Sequence, residues 1–186
     1  MTTLLFIVFE TLYIFSPAIL GNMAPIFAAY YNWFPSLARP ADFNKKFNHV
    51  RILGDNKTIR GFLLSIIIGF IVGLFQYFLI TNVPLANTYL LTNNSFATTI
   101  ISAITISFGA LLGDAVGSFI KRQLHIPPGS SFPVVDQIDY IVGALFFAVI
   151  FFPITTAHIL TAFMLLGPGS FVTSIIGKQL GLKNNF

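Results

Sequence analysis

The chain has 186 residues, of which 55% are hydrophobic and 9% charged, with a net charge of +4, 22 phenylalanines and no cysteine. Soluble domains carry about 25% charged residues, so a mean hydropathy of +0.83 excludes an ordinary soluble domain and makes lipid the expected solvent for much of the surface. The missing cysteines exclude disulfides and thiolate metal sites.

A spanning helix needs about 20 mostly apolar residues at ~1.5 Å each, and five segments qualify. The fold expected is all-α and membrane-integral, with five transmembrane helices in one domain covering residues 1–186. Span one, about 4–31, is long enough to outrun a bilayer or to kink at Pro17 and Pro25. Its polar points are Asn22 and, nearer the other end, Glu10, expected to cap or snorkel. No cleavable signal peptide is expected, because Met-Thr-Thr has no basic region and the first Lys or Arg is Arg39.

The connection of about 32–60 ends in GDNKTIRG, Gly54 to Gly61. It is not a phosphate-binding P-loop, which would need Gly where Arg51 and Asn56 stand. Lys57, Thr58 and Arg60 nevertheless sit where a helix N-terminus offers N–H groups to an anion, although a basic cluster beside a membrane also serves anionic lipid heads. Span two, about 61–80, is uncharged and carries Gly69 and Gly73 at a spacing that lets helices approach. The Asn/Thr-rich stretch after it reads as a polar loop.

Span three, about 96–115, ends in GDAVGSFIKR. If the helix runs on past the lipid, Asp114, Ser118, Lys121 and Arg122 fall at i, i+4, i+7 and i+8, on one face. A Lys-Arg pair alone would be a membrane anchor; an aspartate at the membrane border is a functional candidate. Carboxylate, hydroxyl, ammonium and guanidinium together suit a metal-bound polyphosphate. Gly109, Gly113 and Gly117 form a small-residue stripe expected to admit a neighbouring helix. After a connection of about 116–137, Asp136 and Asp139 open span four, about 138–155, where one acid would merely suit the helix dipole but two could join Asp114 on one divalent cation. Mg²⁺ fits better than zinc, since His49, His125 and His158 lie far apart. Span five, about 157–177, is expected to break or bend at Gly167-Pro168-Gly169.

Every Lys and Arg falls between spans one and two, between spans three and four, or after span five. The positive-inside rule then puts the N-terminus outside, the C-terminus in the cytoplasm, and both charged connections on the cytoplasmic face as the active site.

The run SFIKR (Ser118 to Arg122), preceded by Gly113-Asp114 and followed by DQID (Asp136 to Asp139), resembles the CTP-dependent lipid cytidylyltransferases. The bacterial and eukaryotic CDP-diacylglycerol synthases have S-x-x-K-R, a loop with H-G-G, then D-R-x-D. Here His-Gly-Gly is missing and Gln137 replaces the Arg, so the chain is more similar to the archaeal branch, the CDP-archaeol synthases. The first-loop motif at Gly54 to Gly61 and the segment Asn22 to Pro25 match that branch too.

The resemblance implies transfer of a cytidylyl group from CTP to an unsaturated isoprenoid ether-lipid phosphate, 2,3-bis-O-geranylgeranyl-glycerol 1-phosphate, with Mg²⁺ as cofactor. It implies Asp114, Asp136 and Asp139 as metal ligands, with Lys121 and Arg122 also catalytic. Asn22, Lys57, Thr58, Arg60, Ser118, Lys121 and Arg122 would contact CTP or substrate. Membrane lipids are expected around the chain and no nucleic acid. Two alternatives stay open: a small transporter using the same carboxylates for a cation, and a CTP-dependent lipid kinase.

Overall fold

The computed structural model describes residues 2–83, 95–128, 130, 132 and 134–179, with side chains described from Leu4 to Pro168. Five long helices occur among them: α1 (Thr2–Tyr30), α2 (Ile59–Asn82), α3 (Phe96–Gln123), α4 (Val135–Phe151) and α5 (Thr156–Gln179). The α1–α2 connection holds a 3-10 turn (Pro35–Leu37) and a two-stranded antiparallel hairpin, β1 (Lys46–Phe47) with β2 (Val50–Arg51). Asn48 and His49 at its tip both have positive φ, as a tight two-residue hairpin turn requires.

Three helices, Leu4–Tyr30, Ile59–Asn82 and Phe96–Gln123, are long and apolar enough to cross a membrane. At 17 residues, α4 is about 26 Å long at ~1.5 Å per residue, and it starts earlier and ends sooner than expected. It stops at Phe152, just before Pro153, which cannot continue a hydrogen-bond ladder. In α5 the shorter stretch Thr156–Pro168 is apolar. Large side chains cover the outside of the bundle, among them Phe9, Phe75, Phe146 and Met164, as expected when lipid rather than water is the solvent.

In that solvent, a backbone group freed by proline needs a partner inside the protein. Pro17 removes the N–H that would bond the Tyr13 carbonyl four residues back. Ser16 Oγ (2.8 Å) and buried Gln76 Nε2 of α2 (2.7 Å) donate to that carbonyl instead. The helix therefore continues through Pro17, and Gln76 joins α2 to α1. Pro25 packs its ring on Gly61 at the start of α2. The expected break at Gly167-Pro168-Gly169 does not occur: α5 runs through it to Gln179. In that same turn the Leu166 carbonyl accepts the buried Tyr140 hydroxyl at 2.8 Å, an interhelical bond of the kind that makes such residues tolerable in a membrane helix.

Glu10 neither caps nor snorkels. It is buried, with Oε2 at 3.1 Å from Nε2 of buried His158 on α5. The Thr155 N–H donates to His158 Nδ1 at 3.2 Å, so Nδ1 is the acceptor and Nε2–H faces Glu10. Between α2 and α3, Ser65 and Ser107 each donate a hydroxyl to the other's carbonyl, at 2.9 and 2.7 Å.

The tightest approach is α3 against α4. A Cβ on Gly143 would lie 2.2 Å from the Gly109 carbonyl oxygen, and one on Gly113 would lie 2.1 Å from that of Asp139. Only glycine allows backbones this near. Gly143→Ala must therefore push α4 off α3, and we expect a loss of about 1–3 kcal/mol as a lower detergent melting temperature. Gly167→Ala, whose methyl would meet nothing within 4 Å, should leave the melting temperature near wild type.

Candidate active site

Three helix ends meet at one end of the bundle. Because α3 continues to Gln123, Asp114, Ser118, Lys121 and Arg122 do share one helix face. The first turns of α4 carry Asp136 and Asp139. The start of α2 is fixed by Thr58, whose side chain accepts the Gly61 N–H as N-cap. That cap brings Lys57 to α3.

The carboxylates are engaged as follows. Lys57 Nζ is ion-paired with Asp114 Oδ2. Lys121 Nζ lies 2.6 Å from Asp136 Oδ1, and the Phe132 N–H donates to Asp136 Oδ2 at 2.8 Å. Asp139 Oδ1 accepts its neighbour Tyr140's N–H at 2.6 Å, while its Oδ2 is buried without a hydrogen-bond partner. A Cβ on Gly117 would lie 2.2 Å from that oxygen. The small-residue stripe thus seats Asp139 against α3, within electrostatic reach of Asp114, Lys57 and Asp136.

Arg122 is buried and donates from Nη2 to the Pro127 carbonyl at 3.1 Å, while its Nε has no partner. Gly54 packs beside this guanidinium and Pro128, so the two charged connections touch. Buried Ser118 stands one turn before Arg122. Asn22 is half-buried within α1, and Thr58 is spent on capping. Arg60 points away from the carboxylates: its Nη1 donates to the Trp33 carbonyl at 2.8 Å.

Among the described residues no three His, Cys, Asp or Glu side chains form a closed metal cage. The donor chemistry still fits a hard cation: Asp139 lies within the field of both Asp114 and Asp136, one of its oxygens is buried and unpaired, and no soft ligand competes. The cations now in place are the ammonium groups of Lys57 and Lys121.

Asp42 escaped the sequence reading. It is buried and accepts Arg51 Nε (3.2 Å) and Nη2 (2.9 Å), plus the N–H groups of Asn44 (3.0 Å), Leu53 (3.0 Å) and Gly54 (3.1 Å). This hub folds the first connection and sets Gly54, with its φ of +89°, beside Arg122. Burial alone would raise the Asp42 carboxyl, but the Arg51 bond and the three N–H bonds outweigh it and hold it at about 2. Arg51 is pushed up in turn, first by its bond to Asp42. The one cue in the sequence is that Asp42 and Asp55 are the only acids in a segment with six basic residues.

A family profile described as CarS-like, CDP-archaeol synthase, matches residues 4–186. A CDP-archaeol synthase from Thermococcus gammatolerans is 37% identical over 149 residues, covering 80% of this chain and 76% of that protein. One from Thermofilum pendens is 34% identical over 176 residues, 90% of this chain and 76% of the relative. One from Methanocaldococcus jannaschii is 34% identical over 150 residues, 78% and 81% respectively. A solved structure described as an intramembrane enzyme for archaeal membrane lipids biosynthesis superposes with a TM-score of 0.70 at 25% identity, covering 92% of this chain and 94% of that one.

The Asp42 hub gives a pH test. Its folded value lies below the usual 3.8, so its stabilisation is complete above pH ~4 and declines as pH falls towards 2. Limited proteolysis between residues 39 and 57 should accelerate below pH 4. Asp42→Asn should show that faster cleavage already at pH 7, and an unchanged cleavage rate would show that the hub does not hold the loop.

Proposed function

This chain belongs to the CDP-archaeol synthase family, and from that membership we propose that it transfers the cytidylyl group of CTP to an isoprenoid ether-lipid phosphate, releasing pyrophosphate. The observation that carries the site is the convergence of Asp114, Asp136 and Asp139 with Lys57, Lys121 and Arg122 at one end of the bundle. A reaction between two phosphate anions needs such a mixture of signs.

The lipid phosphate oxygen attacks the α-phosphorus of CTP, forming the new P–O bond, and the bond to the bridging oxygen of the β-phosphate breaks. The nucleophile is already ionised, so no side chain need be its base. In the resting site Lys57 and Lys121 neutralise Asp114 and Asp136. Incoming polyphosphate competes for those ammonium groups, and their transfer to phosphate oxygens uncovers carboxylate oxygens beside the unpaired oxygen of Asp139. Buried Arg122, whose Nε has no partner, would hold the departing pyrophosphate. Mg²⁺ bound by Asp114, Asp136 and Asp139 would supply charge neutralisation on the phosphates. Ser118, on the same face, completes the polar wall.

We further propose five crossings with the charged end in the cytoplasm. Eight basic residues, Arg39 to Arg122, lie in or beside the two connections at that end. Lipid tails then stay in the bilayer while CTP enters from the aqueous side. The transporter alternative would want its ionisable groups near mid-membrane; these six gather where the start of α2, the later turns of α3 and the start of α4 meet.

Purified protein given α-labelled CTP and the ether-lipid phosphate should place label in lipid, whereas γ-labelled CTP should not. Label from the γ-phosphate would identify a lipid kinase. Asp114→Asn and Asp136→Asn should each lower turnover by about 100-fold or more with melting temperature retained, and chelation of divalent ions should abolish turnover. Full activity in both variants would contradict the site.

A further inference from the structure

The connection between α1 and α2 carries side chains that neither the carboxylate site nor the bundle uses. Its two acids, Asp42 and Asp55, both pair with Arg51, at 2.9 and 3.0 Å. Lys57 goes to Asp114, and Arg60 to the Trp33 carbonyl. That leaves Arg39, Lys45 and Lys46, all exposed and in no ion pair among the described residues. Beside the two lysines stand Phe43, 66% exposed, and Phe47, 52% exposed. Phe43 also has a φ of +49°, a region that a bulky side chain seldom enters. The turn holds it there: its N–H donates to the Pro40 carbonyl at 3.1 Å, and the next N–H, of Asn44, to Asp42 Oδ1 at 3.0 Å. A strained backbone that turns an aromatic ring outward, next to unpaired cations, points to a use outside the fold.

The hairpin lies at the level where lipid gives way to water. On α3 the exposed apolar residues Leu112, Val116 and Ile120 recur on one face, so the lipid-facing surface of that helix runs on to its last turns. Phe119, in those turns, packs on Phe47 of β1 with ring centroids 6.0 Å apart, which sets the hairpin beside the end of that surface. The end of α1 marks the same level: Tyr30, Tyr31 and Trp33 are exposed, and Tyr31 stacks on Trp33. Exposed Tyr and Trp at a helix end belong to the membrane–water interface. The ladder extends to Lys45, whose carbonyl accepts the Ile52 N–H at 3.1 Å. Lys45 therefore shares the Phe47 side of the hairpin, while Lys46 stands across from Arg51. A like-charge pair across two strands does not help the hairpin fold.

We propose that the turn at Phe43 and the β1–β2 hairpin dock on the leaflet surface at this end of the bundle. Phe43 and Phe47 enter the boundary between headgroups and acyl chains, and Arg39, Lys45 and Lys46 meet the phosphates of anionic lipids. Charge and apolarity together select this occupant. Exposed rings at interface depth, beside ammonium groups that no acid of the protein answers, match a negatively charged bilayer surface. A neutral bilayer would take the rings and leave the cations without partners. The docked segment is the one that the Asp42 hub folds and that sets Gly54 beside Arg122, so the leaflet would support that wall of the site from outside. Docking requires only that the bundle crosses a membrane, whatever reaction the carboxylates serve.

The chain has no cysteine, so one introduced cysteine carries a nitroxide at a chosen place. The full chain with Phe43→Cys or Phe47→Cys is labelled and placed in nanodiscs of phosphatidylcholine, with or without phosphatidylglycerol. Depth is read from spin relaxation by oxygen, which favours lipid, against a neutral nickel chelate, which favours water. With phosphatidylglycerol both labels should move to interface depth, and without it they should stay nearer water. Lys45→Gln combined with Lys46→Gln should lower the ratio of docked to free hairpin about tenfold or more, whereas Lys45→Arg with Lys46→Arg should retain docking. A label at Phe75→Cys, on the exposed face of α2, should read bilayer depth throughout, which shows the helices still inserted. Labels at 43 and 47 that stay open to the nickel chelate in phosphatidylglycerol discs would overturn the proposal and leave the surface to a soluble partner. Equal depth with and without phosphatidylglycerol, or an unchanged response in the glutamine variant, would overturn it as well.

Discussion

Backbone contact between α3 and α4 is the constraint on which the site depends. Gly109, Gly113 and Gly117 on one helix and Gly143 on the other leave no room for a methyl group. Lipid offers little driving force for helix association, so close van der Waals contact and buried hydrogen bonds must supply it. The contact also delivers chemistry: Asp139 lies against Gly117, and its backbone carbonyl lies against Gly113, next to Asp114. Carboxylates from two helices are thereby brought within each other's field, a repulsive arrangement that Lys57 and Lys121 offset while the site is at rest.

The rest of the bundle shows how a chain with two prolines in its first helix stays helical in an apolar solvent. The carbonyl freed by Pro17 is taken by Ser16 and Gln76, so a potential kink becomes a crosslink between α1 and α2. Ser65 with Ser107 joins α2 to α3, Tyr140 with Leu166 joins α4 to α5, and Glu10 with His158 joins α1 to α5. These bonds leave one end of the bundle for the ions and give its interior a fixed geometry. Precision at the site follows from rigidity behind it.

Much of this was legible in the residues. Runs of about 20 apolar residues mark the helices, and the spacing of Asp114, Ser118, Lys121 and Arg122 marks one face. Asp136 and Asp139 can be read as the opposing carboxylates because they open the next apolar helix. Less legible was anything set by tertiary partners. Gly167-Pro168-Gly169 reads as a break, since local propensity cannot see the Tyr140 hydroxyl on a neighbouring helix. Glu10 reads as a snorkelling acid because its partner, His158, is 148 residues away. Asp42 lies in a segment without periodicity, where only the folded loop shows five donors converging on one carboxylate. Arg60 and Lys57 look equivalent in GDNKTIRG, yet the helix that starts between them sends them to different faces.

Under the proposed function, carboxylates of α3 and α4 hold the divalent ion that accompanies CTP. Electron-nuclear double resonance on Mn²⁺ added with CTP to the purified protein tests this most directly. Wild type should show bound Mn²⁺ with ³¹P couplings, and Asp139→Asn should lose that bound signal at a retained melting temperature. An unchanged bound signal in an Asp114, Asp136 and Asp139 triple Asn variant would contradict it.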